Sequence, residues 1–185
     1  DASGGGGTFV TKSPHNNNSS ILVVAGGGGG SFVDNSTSNG QITTAGADAC
    51  CSQSNLHSPL GGTNGLGAGY SGNVSIIGGA GFLTNGIGGA GTMSQSYLNG
   101  GVGANNTFSG NTGFGGGFGG GGDASRNHSS TYATGGGGGY SGGGVGYYFS
   151  NNTPTSGGGG GSYNNGSNTS NTAGNNSGHG KVTIT

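Results

Sequence analysis

The chain has 185 residues, the length of one ordinary domain. Glycine supplies 54 of them, hydrophobic residues 26% and charged residues only 4%, which excludes a conventional core of buried Leu, Ile and Phe. A net charge of −1, with Lys12, Arg126 and Lys181 as its only Lys and Arg, cannot neutralise a phosphate backbone, so nucleic acid is excluded as a partner.

In chain order, glycines 4–7 run into Thr8-Phe9-Val10-Thr11, an alternating, β-prone strand signal. Ile21-Leu22-Val23-Val24-Ala25 reads as a fully buried strand running into glycines 26–30. At five residues it is far below the ~20 needed to cross a bilayer, and no membrane span is expected. Residues 41–44 carry a weaker strand signal, and 48–56, with Asp48 as cap, is the nearest approach to a helix. The apolar run Val74-Ser75-Ile76-Ile77 follows, then glycine clusters at 115–117, 119–122, 135–139, 142–144 and 157–161. Tyr147-Tyr148-Phe149 is a further weak strand signal, and the ending Lys181-Val182-Thr183-Ile184-Thr185 alternates cleanly as a strand. An aromatic closely follows many clusters (Phe9, Phe32, Phe82, Tyr140, Tyr147 and Tyr163), without the fixed period of a solenoid.

Such runs could belong to a flexible linker, but a linker has no need of the interleaved apolar segments. Glycine loses more backbone freedom on folding than any other residue, so helices and ordinary strands of glycine are unfavourable. The remaining regular form is an extended threefold helix, which has no internal hydrogen bonds. Its N–H and C=O groups must pair laterally, and segments without side chains approach closely enough to do so. Collagen is excluded, since no strict G-X-Y period exists and Pro numbers three. The expected fold is therefore one glycine-rich domain over 1–185. It is a bundle of polyglycine II helices with flanking short β-strands and little or no α-helix.

The series Gly4-Gly5-Gly6-Gly7-Thr8-Phe9-Val10, then Ile21–Ala25 with its glycine run, resembles the opening of the glycine-rich extracellular region of anaplastic lymphoma kinase and leukocyte tyrosine kinase. Gly113-Phe114-Gly115-Gly116-Gly117, glycines 135–139 with Tyr140, and Gly178-His179-Gly180-Lys181-Val182-Thr183-Ile184 continue the likeness in the same order, across nearly the whole chain. Similar domains occur in many secreted protist and bacterial proteins. The resemblance implies threefold polyglycine helices joined to β-strands. In those receptors an upstream β-rich half packs against this region and carries much of the ligand recognition. That half is not in this sequence, so a receptor role does not carry over. A separate N-terminal half or a neighbouring chain is expected to complete the β edge. The opening Asp1, in place of Met, is read as the start of a processed or truncated product.

Acid–base or nucleophilic catalysis needs titratable groups that converge. Asp34, Asp48 and Asp123 are far apart and no motif joins them to His15, His57, His128 or His179. No phosphate-loop pattern is present, and no enzyme or cofactor is expected. Ca²⁺ on Asp, Asn and carbonyl oxygens has no matching loop pattern. Cys50 and Cys51 are adjacent, which does not fit zinc spacing. They are a candidate vicinal disulfide, with disulfides to other chains or two buried thiols as the alternatives.

The N-x-[ST] acceptor pattern occurs more often than chance. Asn18, Asn35, Asn73, Asn105, Asn127, Asn151 and Asn168 are the candidate glycan carriers, with further matches at Asn17, Asn165 and Asn175. Asn also serves turns, and that reading stands beside the glycan one.

The expected function is a non-catalytic, extracellular (secreted or cell-surface) structural module of a filament, coat or matrix. Near-zero net charge leaves copies little repulsion, so a homo-oligomer or filament is the expected state. The alternative is a recognition module, an adhesin or receptor ectodomain binding a surface ligand or glycan through residues 151–156 and Tyr147-Tyr148-Phe149. Ice binding by a flat bundle face is a more remote one.

Overall fold

A computed structural model of the chain describes residues 2–32, 36–50, 60–69, 76–88, 92–105, 115–124, 131–149 and 155–183. These residues contain short strands, three single-turn 3₁₀ segments and extended backbone, and no α-helix.

Strand formation follows the β-branched and aromatic runs. β1 (Thr8–Thr11) pairs antiparallel with β2 (Ile21–Ala25), which pairs antiparallel with β5 (Tyr163–Asn164), in the order β1-β2-β5. The β1/β2 register, Phe9 opposite Val24 and Val10 opposite Val23, is interrupted between Val10 and Thr11. β3 (Thr131–Thr134) and β4 (Gly146–Phe149) form a separate antiparallel pair.

β2 departs from the fully buried strand its composition predicts. Ile21 and Val24 are buried while Leu22 and Val23 are exposed, because only one face of this sheet packs on the molecule. Residues 41–44 bend and are not a strand, and residues 48–50 are not helical; 51–56 lie outside the described residues. The predicted strand at the C-terminus is also absent over 181–183. Those residues are exposed and make no ladder bond with the described residues, and alternation without ladder bonds does not make a strand; 184–185 lie outside the described residues.

Two apolar clusters sit apart. Ile76, Ala124, Ala133, Val145 and Tyr147 form one, beside the β3/β4 pair. Ile21, Val24 and Phe82 form the other, with Phe9, Leu83, Tyr97, Tyr140 and Tyr163 packed around it. Phe82 stacks on Tyr97 with ring centroids 4.9 Å apart and planes at 14°. Tyr97 also meets Phe9 at 4.9 Å, and its hydroxyl shares a 2.7 Å hydrogen bond with that of Thr11.

Glycine segments run between these clusters. Residues 135–139 leave β3 and reach Tyr140, 142–145 return to β4, and 157–161 lead to β5. Segment 76–82 begins in one cluster at Ile76 and ends in the other at Phe82.

The hydrogen bonds of that segment show what joins the layers. Ile77 and Ala80 donate to the carbonyls of Asp123 and Gly120, at 3.1 and 2.8 Å. Gly78 and Gly81 donate to those of Ile87 and Thr84, at 3.1 and 3.0 Å. Gly79 and Phe82 donate to those of Gly143 and Tyr140, at 3.0 and 2.8 Å. Successive N–H groups thus turn to three different neighbours and return to each after three residues. A β-strand offers only two such directions.

The same spacing recurs. Gly157 and Gly160 donate to Gly30 and Gly27, and Gly158 and Gly161 to Gly144 and Ser141. Gly135 and Gly138 donate to Ala2 and Gly5, and Gly137 and Tyr140 to Gly158 and Gly161. Glycine is sterically required at this spacing: a Cβ on Gly79 would fall on the Gly137 carbonyl, and one on Gly143 on the Gly158 carbonyl. No described helix is long and apolar enough to cross a membrane.

Candidate functional site

A groove of about 1450 Å³ lies among the described residues. Its glycine floor comes from residues 5–7, 26–28, 117 and 119, and the exposed C-terminal segment 172–183, Phe9 and Tyr97 also line it. Phe118, on its rim, is 81% exposed. The glycine runs supply the floor because they enter and leave the β1/β2 pair side by side, joined where Gly5 N–H donates to the Gly28 carbonyl at 2.7 Å.

The groove's chemistry is neutral and polar. Asn16, Asn39, Gln41 and Asn175 bring amides, His15 and His179 imidazoles, and Lys181 an ammonium group; its described lining includes no carboxylate. His15 is held through Nδ1 by the Thr11 hydroxyl at 2.9 Å, and Asn176 donates to the carbonyls of Gly178 and His179 at 3.1 and 2.9 Å. Two floor amides, Gly6 N–H and Gly28 N–H, have no protein partner among the described residues.

The two described carboxylates sit in different surroundings. Asp48 is exposed and accepts the Gly61 N–H at 2.9 Å, while Asp123 is fully buried and accepts the Ser3 hydroxyl at 3.2 Å. Asp34, His57 and His128 lie outside the described residues. Among the described residues no group of three or more His, Cys, Asp or Glu comes together.

Cys50 is disulfide-bonded, and its N–H donates to the Ser156 carbonyl at 3.0 Å. Cys51, the chain's one other cysteine, lies outside the described residues.

Of the glycan candidates, Asn18, Asn105 and Asn168 are exposed. Asn18 opens a 3₁₀ turn whose Ser20 hydroxyl is occupied by the Asn17 carbonyl at 2.6 Å. Asn105 exchanges both backbone bonds with Thr92, and Asn168 has a left-handed φ of 55°. Asn17, Asn165 and Asn175 are also exposed, whereas Asn35, Asn73, Asn127 and Asn151 lie outside the described residues.

Of the residues expected to serve recognition, Tyr147, Thr155 and Ser156 are buried. Tyr147 is 7% exposed inside an apolar cluster, and burial pushes its phenol above the ordinary 10.0. Thr155 and Ser156 are fully buried, and 151–154 lie outside the described residues. Phe118 and, to a lesser degree, Phe32 face solvent, and the place of Phe118 within a glycine-rich stretch carried no local signal of that. The groove as a whole draws on residues far apart in sequence, so no local motif announces it. No family model, curated protein or solved structure matches the chain.

Proposed function

We propose that this chain is a non-catalytic, extracellular structural module whose glycine segments are polyglycine II helices, and that it self-associates into a filament, coat or matrix. One observation carries the reading: from Ile77 to Phe82 every N–H donates outward, in turn, to three neighbouring segments. Threefold extended helices pair in this way, and at ~3.1 Å per residue a six-residue segment spans about 19 Å. Cohesion then rests on many backbone bonds, each worth ~1 kcal/mol net, more than on apolar area.

The disulfide at Cys50 supports an oxidising, extracellular setting. Exposed Asn18, Asn105 and Asn168 suit a surface that carries N-linked glycans. A net charge of −1 favours association between copies. The likeness of its glycine runs to the glycine-rich receptor regions supports the same architecture.

Sedimentation velocity and negative-stain imaging of the folded chain over a wide concentration range test it. Concentration-dependent assemblies are expected, and uniformly monomeric particles at the highest concentration refute the reading. A second reading, recognition of a surface ligand or glycan, is favoured by the exposed Phe118 ring beside the groove. A glycan-binding screen in which Phe118→Ala behaves like the unaltered chain refutes that one.

A further inference from the structure

We propose that the glycine floor of the groove, at Gly5 and Gly28, is a vacant position in the bundle that takes an extended glycine-rich segment of a second copy of the chain. The inference rests on the self-association reading and specifies the surface that it uses.

The vacancy shows in the hydrogen bonds. In segment 2–7, Gly4 and Gly7 donate to the carbonyls of Gly122 and Gly119, at 3.0 and 2.9 Å, and Gly5 donates to Gly28 at 2.7 Å. The third direction belongs to Gly6, whose N–H has no partner among the described residues. In segment 26–30, Gly27 and Gly30 donate to Gly138 and Gly135, at 2.8 and 2.9 Å, and Gly29 donates to Ser38 at 2.7 Å. There the unpaired N–H is that of Gly28. Both unpaired donors line the same groove. One more extended segment beside them would continue the packing already found inside.

The steric pattern points the same way. Interior glycines such as Gly79 and Gly143 are enforced, because a Cβ there lands on a neighbour's carbonyl. Gly5 is different. Its Cβ would meet only Gly28, at 3.5 and 3.6 Å, which is ordinary contact. A Cβ on Gly28 would meet only the Ser38 carbonyl oxygen, at 3.2 Å. Both residues are exposed and neither has a left-handed backbone. Packing within one copy therefore places little demand for glycine at Gly5 and a modest one at Gly28, where the Ser38 carbonyl must give by a few tenths of an ångström, whereas close approach of a second backbone demands glycine at both.

The occupant must be extended, bare of side chains at the contact and able to offer carbonyls at a three-residue spacing. A chain with 54 glycines in 185 residues supplies such segments itself, and copies bearing a net charge of −1 repel little. Phe118 on the rim gains from burial when the groove fills.

Gly5→Ala, Gly5→Ala with Gly28→Ala, and Phe118→Ala, compared with the unaltered chain by sedimentation velocity and thermal melting, test the proposal. Gly5→Ala and Phe118→Ala are expected to melt with the unaltered chain and the double variant slightly below it, and each to need about tenfold more protein, or more, to associate. Equal association by all variants overturns this inference and leaves self-association standing. A monomeric unaltered chain overturns both. If Gly5→Ala melts early, its Cβ has no room and the steric half fails. Phe118→Ala, which removes an exposed ring, then decides, and unchanged association by it overturns the proposal.

Discussion

Gly79→Ala puts a single methyl group where the bundle has none to spare. The added carbon falls on the Gly137 carbonyl oxygen, with the Gly143 nitrogen 2.9 Å away. Relief requires segment 76–82 to withdraw from 135–143 by on the order of 1 Å, which stretches a hydrogen bond past its useful range. Of the three bonds on that boundary, Phe82 N–H to the Tyr140 carbonyl at 2.8 Å lies farthest from the added methyl, and the two beside it are Gly79 N–H to the Gly143 carbonyl at 3.0 Å and Gly139 N–H to the Ala80 carbonyl at 3.2 Å. Each buried group left unpaired costs ~1–3 kcal/mol. Alanine's smaller unfolded-state entropy returns ~0.4–1 kcal/mol. The expected net loss is about 2–5 kcal/mol, a large part of the ~5–15 kcal/mol that holds a typical fold. Denaturant unfolding followed by circular dichroism measures it. Gly178→Ala is the control, since nothing lies within 4 Å of its Cβ and a change below ~0.5 kcal/mol is expected. If the two variants unfold at the same denaturant concentration, backbone contact is not what requires glycine here and the reasoning fails.

Two other outcomes follow from the apolar ends. Phe82→Ala empties the largest fully buried side chain among the described residues and removes the stack on Tyr97, so a loss of ~3–5 kcal/mol is expected in the same unfolding assay. Burial raises the Tyr147 phenol above 10.0, so its neutral form is favoured in the fold. That contribution is whole below the unfolded value and is lost as pH rises past 10 towards the folded one, because the unfolded chain ionises first. Melting temperatures should fall above about pH 10, and Tyr147→Phe should fall less; an equal fall for both removes Tyr147 as a cause.

Local chemistry made some elements legible. Thr8–Thr11 and Ile21–Ala25 are the strands their β-branched and aromatic residues announce. The C-terminal Lys-Val-Thr carries the same signal and is not a strand, since its backbone makes no ladder bond with the described residues, although β1 has an open edge and Gly180 lies beside Thr8. The pair Tyr163–Asn164 became a strand with hardly any signal because β2 lies alongside. Tyr147 looked like a surface aromatic from its neighbours and is buried, because β4 lays it against Ile76 and Val145.

The sequence by itself determined the manner of cohesion. With 26% hydrophobic residues and 54 glycines, backbone pairing had to replace side-chain burial. It could not say which glycines face inward, because glycine has no side chain to mark a face, and Gly5 and Gly79 read alike. Only the tertiary structure separates them, by setting a carbonyl against one and open groove beside the other.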